Sequence, residues 1–127
     1  MATQRRTFRE DEIEYAWNQA HAVDGLNPDE IRMDYAGALI MRHAYGDRTS
    51  SFGWEVDHII PLEKNGPYNN WNYTALQWEN NMSKGDDFPV WKTNRAFNGR
   101  RNEEDAEKQW IGIVFNEQVK IVEVRNR

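Results

Sequence analysis

Cysteine is absent from this 127-residue chain. Its absence excludes a disulfide framework, a Cys-ligated zinc site and a thiol nucleophile. No apolar run approaches the roughly 18 to 20 residues that a membrane-spanning helix needs. The N-terminus carries Arg but no apolar h-region of a secretory signal, so a cytoplasmic protein with no membrane partner is expected. No repeat, low-complexity tract or Gly/Ser linker divides the chain, and its length suits one domain over residues 1–127. Positive charge is also scarce, with 16 Lys and Arg against 21 Asp and Glu for a net −5. Spread evenly, that balance would speak against a nucleic-acid binder.

The charge is not spread evenly. Residues 10–30 hold Glu10, Asp11, Glu12, Glu14, Asp24, Asp29 and Glu30 with no Lys or Arg. Basic patches flank the middle of the chain: Arg5, Arg6 and Arg9 before it, and Lys84, Lys92, Arg95, Arg100 and Arg101 after it. A patch of this kind is either solvated surface or a phosphate contact. Aromatic residues are plentiful, with 6 Trp, 5 Tyr and 5 Phe, and they concentrate buriable area into few positions.

Apolar spacing predicts a helix over residues 10–22, where Ile13, Trp17 and Ala20 recur on one face and Trp17 belongs to the core. A second short helix carrying Ile31 and Tyr35 is expected after the Asn27-Pro28 turn. Residues 36–45 fit strand or helix equally. Residues 53–60 read as a strand bounded by Gly53 and Pro61, and Tyr73–Leu76 as its return strand. Residues 78–84 read as a helix turning Trp78, Asn81 and Met82 inward. Asn102 before Glu103-Glu104-Asp105 reads as a helix N-cap. The tail over 110–124 reads as a hairpin around Asn116-Glu117-Gln118. His21 is expected at the surface and His43 in a structural role; Glu55 reads as a strand-surface carboxylate before an outer-sphere metal partner, and Asn80 as packing or capping before binding metal.

The chemistry-bearing residues gather in the middle third: Asp57-His58, then Asn72, Asn81 and Lys84. Phosphodiester hydrolysis needs a base for water, a hard cation at the phosphate, and charge stabilisation for the leaving oxygen. His58 suits the base, since an unperturbed imidazole titrates at about 6.5. Asp57 and Asn81 offer oxygen ligands suited to Mg²⁺ or Mn²⁺, and Lys84 offers a point charge to a phosphate. One difficulty is geometric. In a regular strand Asp57 and His58 face opposite ways, so they share a site only if the strand twists or ends near His58.

This pattern resembles the HNH endonucleases, the ββα-metal (His-Me finger) family. Asp57-His58-Ile59-Ile60-Pro61-Leu62 precedes Asn72, with Leu76, Asn81 and Lys84 four, nine and twelve residues beyond it. The run Arg32, Asp34, Gly37, Ile40, Tyr45-Gly46, Ser51 and Gly53-Trp54-Glu55 is similar to the lead-in of some members. The resemblance covers about residues 12–91. It implies an α+β fold with a ββα-metal core near residues 53–86, an N-terminal helical lead-in over 10–45 and a C-terminal extension over 92–127. It implies His58 as general base, Asp57 and Asn81 as ligands of one Mg²⁺ or Mn²⁺, and Asn72 as the residue that fixes the loop and orients His58. It also implies DNA as substrate, cut to 5′-phosphate and 3′-hydroxyl ends.

The chain departs from that family in two ways. Many relatives bind a structural zinc through Cys pairs, whereas Gln77 and Asn80 stand at one pair's positions here, and Asn81 stands where many carry His. No structural zinc is expected, and Trp54, Trp71, Trp78 and Trp91 are expected to replace it. A buried ring of about 150–250 Å², at about 25 cal/mol per Å², supplies several kcal/mol. Two other readings stand beside the DNA endonuclease: a catalytically silent nucleic-acid-binding or inhibitor module, and an RNA-directed nuclease or toxin. Arg95, Arg100 and Arg101 either bind nucleic-acid phosphates, with Lys84, or pair with Glu103 and Glu104.

Overall fold

A computed structural model describes residues 6–125; Arg5 of the first basic patch lies outside them. The expected N-terminal helix is present as α1 (Glu10–Gln19), burying Glu12, Ala16 and Trp17. A three-stranded antiparallel sheet follows: β1 (His21–Ala22), β2 (Ile31–Met33) and β3 (Leu39–Met41). Next comes an antiparallel hairpin of β4 (Trp54–His58) and β5 (Tyr73–Gln77), running directly into α2 (Trp78–Lys84). A second three-stranded antiparallel sheet closes the chain: β6 (Val90–Phe97), β7 (Asn102–Phe115) and β8 (Gln118–Val124). No helix of the described residues is long and apolar enough to cross a membrane.

This architecture overturns the expected α+β fold, a ββα-metal core wrapped by N-terminal helices. Three antiparallel sheets dominate, and the described residues contain two α-helices, one of them N-terminal. Two expected helices are strands. Ile31 and Tyr35 do not share a helix face: Ile31–Met33 pairs with Leu39–Met41 across a turn in which Gly37 has a φ of 98°. The Asp34 carboxylate shapes that turn by accepting the amides of Ala36 and Ala38 at 3.0 and 2.8 Å, a local competitor to helix formation. Asn102 caps no helix. Its side chain exchanges hydrogen bonds with the backbone of Leu39 and donates to the Ser51 carbonyl, which anchors β7 at its first residue. The tail hairpin is present, with Phe115 opposite Gln118 and a two-residue turn whose Asn116 and Glu117 both have positive φ.

Two cores result. Ala16 and Trp17 of α1, with Ala20 just after it, pack on Trp54, Val56, Tyr73 and Ala75, one face of the β4–β5 hairpin. A second cluster joins Ala36 and Ile59 to Trp91 and Trp110, with Tyr35, Phe88, Val119 and Ile121 around it. Among the four tryptophans expected to stand in for zinc, Trp54 and Trp91 are buried, whereas Trp71 and Trp78 are only partly covered. Trp17 and Trp110 are the other buried pair. Each buried indole also ties down its surroundings: Trp17 Nε1 donates to Pro28 O, Trp54 to Met41 O, Trp91 to the Tyr35 hydroxyl and Trp110 to Thr93 Oγ1.

Helix α2 lies on the other face of the hairpin, but not on the side the sequence predicts. Asn80 and Lys84 are buried, Trp78 and Asn81 are partly covered, and Met82 is exposed. The cause is polar. Asp34 accepts the Gln77 amide at 3.0 Å and Asn80 Nδ2 at 3.2 Å through Oδ2. Asn80 also donates to Arg95 O and accepts the amides of Asn94 and Arg95, joining α2 to β6. Gln77 caps the helix by accepting the Asn80 amide at 3.0 Å. Asp34→Ala removes a buried acceptor of four N–H groups and is expected to lower stability by about 3 kcal/mol or more, read from the denaturant midpoint.

Candidate functional site

Strand β4 ends at His58, which solves the facing problem. His58 is its last residue paired with β5, opposite Tyr73. Beyond it, Ile59 still donates to Asn72 O, but the backbone of Ile60 bonds to a side chain instead. Asn72 Oδ1 accepts the Ile60 amide at 2.8 Å, and Asn72 Nδ2 donates to Ile60 O at 3.0 Å and Pro67 O at 3.1 Å. The chain therefore turns away at Pro61, and Asp57 and His58 both line one cavity of about 310 Å³. Asn81 and Met82 of α2, Arg48, Glu63 and Asp86 share the lining.

Asp57 is buried, and its Oδ1 lies 3.3 Å from Lys84 Nζ. Its Oδ2 has no hydrogen-bond partner among the described residues. Burial pushes the Asp57 carboxyl up to about 6, against the pull of the adjacent Lys84 ammonium. His58 sits in an aromatic box: Phe8 at 5.1 Å, Tyr68 at 4.6 Å edge-on and Tyr73 at 5.5 Å edge-on, between ring centroids. That box is fixed from α1. Tyr73 donates its hydroxyl to Glu12, and Arg6 pairs with Glu12 through two hydrogen bonds while covering the Tyr68 ring at 4.1 Å. The Arg6 guanidinium lowers the Glu12 carboxyl to about 2, although burial opposes it.

Asn81 reaches the cavity from α2, and its Nδ2 donates to Glu55 Oε1 at 2.9 Å. With the amide nitrogen held there, the Oδ1 end is the one left for a ligand. Glu55 is not a bare strand-surface carboxylate. It also takes both Arg48 Nε (2.8 Å) and Arg48 Nη2 (2.9 Å), and although burial opposes it, the Arg48 and Asn81 hydrogen bonds lower its pKa.

The residues predicted from sequence divide into two groups. Asp57, His58 and Asn81 come together in the cavity. Asn72 is buried behind it and holds the loop that follows His58 through its side-chain hydrogen bonds to Ile60 and Pro67. Lys84 is not presented to a phosphate: it is fully buried, donates to His58 O at 3.2 Å and lies 5.1 Å from the Trp91 ring. Arg95 is half-buried on Glu79 at 2.9 Å with Glu104 nearby, and Arg101 lies 3.8 Å from Glu103. Arg100 is exposed, outside the cavity lining. His21 is exposed as expected, and His43 is exposed too. Arg48 and the Phe8–Tyr68 box escaped the sequence reading, as did the pairing of Glu55 with Arg48 and Asn81. The turn at 47–50 carries no periodicity, and no motif spacing links it to Glu55.

Comparison of the chain with protein-family models, with curated proteins and with solved structures finds no match.

Two outcomes follow from these contacts. Lys84→Met strands a buried carboxylate and is expected to destabilise by about 3–5 kcal/mol. In an Asp57→Asn background the same change should cost less by about 1 kcal/mol or more, measured as a double-mutant cycle in denaturant. The second concerns acid stability. The lowered pKa of Glu12 contributes stability that is present above its ordinary value near 4.5 and is lost as pH falls through about 2. Wild type should therefore exceed Glu12→Gln by about 2 kcal/mol at neutral pH. That difference should shrink steadily in melts taken below pH 4.5.

Proposed function

We propose that the chain is a divalent-metal-dependent endonuclease of the HNH type that hydrolyses DNA phosphodiesters. One observation carries this reading: a buried carboxylate, an imidazole and a side-chain amide meet in a single open cavity at the end of β4.

The residues fit a hard cation. Asp57 Oδ2 is a buried oxygen with no hydrogen-bond partner among the described residues, and the Asn81 amide is turned by Glu55 so that its oxygen is the available end. The described residues hold no group of three or more His, Asp or Glu placed to bind a metal. Asp57 and Asn81 would thus supply two oxygens and leave the remaining positions to water and phosphate oxygens, the manner in which Mg²⁺ and Mn²⁺ are usually held. Bound there, such an ion screens the charge that develops on the phosphate and the leaving oxygen.

The protein's own residues carry the rest. His58 takes a proton from water, and the hydroxide attacks phosphorus. The bond to the 3′-oxygen breaks and that oxygen takes up a proton from solvent water, leaving 5′-phosphate and 3′-hydroxyl ends. The Phe8, Tyr68 and Tyr73 rings hold the imidazole in place, and Asn72 keeps the loop after it open to the cavity. Lys84 fixes one oxygen of Asp57 and leaves the other for the ion.

A plasmid-nicking assay with Mg²⁺, Mn²⁺ and EDTA, beside a labelled-RNA control, tests this function. Wild type should cut DNA with either ion and stop in EDTA. His58→Ala should lose about 10²-fold or more of the cleavage rate while still binding DNA. Undiminished cleavage by His58→Ala overturns the mechanism. Asp57→Ala should lose the metal-dependent activity. Cleavage of RNA alone moves the substrate to RNA, and binding without cleavage by wild type replaces the enzyme with a silent module.

A further inference from the structure

The cavity needs a cation for the phosphate, and the one read from sequence is not available. Lys84 is buried behind Asp57, and Arg95 is spent on Glu79. Among the described residues, Arg48 is the only Lys or Arg that lines the cavity, sharing it with the carboxylates of Asp57, Glu63 and Asp86. Its side chain is half exposed, at 53%. One edge of it is fixed: Nε and Nη2 donate to the two oxygens of Glu55, and the Trp78 ring lies 5.9 Å away. A guanidinium has five N–H donors in a rigid plane, and this pairing uses two of them.

We propose that Arg48 binds the scissile phosphate, its free edge donating to the non-bridging oxygens while Glu55 holds the other edge. This rests on the reading of the cavity as a phosphodiester site and deepens it. Glu55 then has a double task. The same carboxylate that orients Arg48 toward the phosphate holds the Asn81 amide nitrogen, so the anion contact and the cation ligand are set by one side chain. Because planar two-point pairing is what fixes the guanidinium, lysine at position 48 would keep the charge and lose the geometry.

The test uses the full chain as wild type, Arg48→Gln, Arg48→Lys and the distant surface control Lys120→Ala, each checked for folding by near-ultraviolet circular dichroism. Arg48→Gln keeps a polar side chain beside Glu55, so a folded variant is available. The probe is thymidine 3′,5′-bisphosphate, titrated by calorimetry with and without Ca²⁺. Wild type should bind it, Arg48→Gln should bind about tenfold or more weakly, and Arg48→Lys should recover only part of the loss. Lys120→Ala should bind as wild type does. No binding by wild type in either condition, or equal binding by Arg48→Gln, overturns the proposal. Plasmid nicking by the same proteins separates the two readings. A wild type that binds the bisphosphate through Arg48 but does not nick leaves the phosphate site standing and removes the nuclease. A wild type that nicks with an Arg48→Gln of unchanged kcat/KM removes the phosphate site and leaves the nuclease.

Discussion

The buried carboxylate of Asp34 is the constraint on which the rest of the structure depends. It lies among groups that need acceptors, and its two oxygens take four N–H donors: Ala36 and Ala38 in its own turn, the Gln77 amide, and Asn80 Nδ2. Burial of the carboxyl raises its pKa, and those four donors oppose the shift. One side chain thereby joins the first sheet to the end of β5 and the start of α2. Asn80 extends the junction to β6 through three further hydrogen bonds. The junction is thus a knot of amides around one carboxylate.

That knot sets the rotation of α2, and the rotation sets the site. With Asn80 inward, Lys84 one turn later also points inward, beneath Asp57 and against Trp91. Asn81 then falls at the helix edge beside Glu55. A buried ion pair adds little net stability, because desolvating two charges offsets most of their attraction. The consequence of the Lys84–Asp57 contact is geometric: in a residue that lines the 310 Å³ cavity, it pins one carboxylate oxygen and leaves the other without a hydrogen-bond partner among the described residues. The aromatic box does the same for His58. Arg6, Glu12 and Tyr73 anchor the box to α1, so the N-terminal helix reaches the site through a chain of named contacts.

Some of this was legible in local sequence. The β4–β5 hairpin follows from Gly53 and Pro61 as boundaries and from the turn residues between the strands. Helix α1 follows from its apolar spacing, and the tail hairpin from Asn116-Glu117. The end of β4 near His58 was legible as well, since proline cannot continue a ladder. Asp57, His58 and Asn81 came from spacing along the chain, and they do meet. The misses have a common cause. Asn102 looked like a helix cap because its side chain was free on paper, yet Leu39 and Ser51, more than fifty residues away, occupy it. Ile31 looked helical until its neighbours paired with β3.

Sequence alone determined which chemical groups this protein can bring to a site: a carboxylate beside an imidazole, two amides, and no thiol. It also determined the elements whose signals lie within a dozen residues. The fold class, the inward face of α2, the burial of Lys84 and the pairing of Arg48 with Glu55 were decided by contacts between distant segments. The physical reason is that a side chain's charge and shape are its own, while its burial and partners depend on which other segment arrives beside it. Lys84 and Arg48 are both cations on paper. One is sealed behind Asp57 and the other opens onto the cavity, and only the packing of α2 against the hairpin separates them.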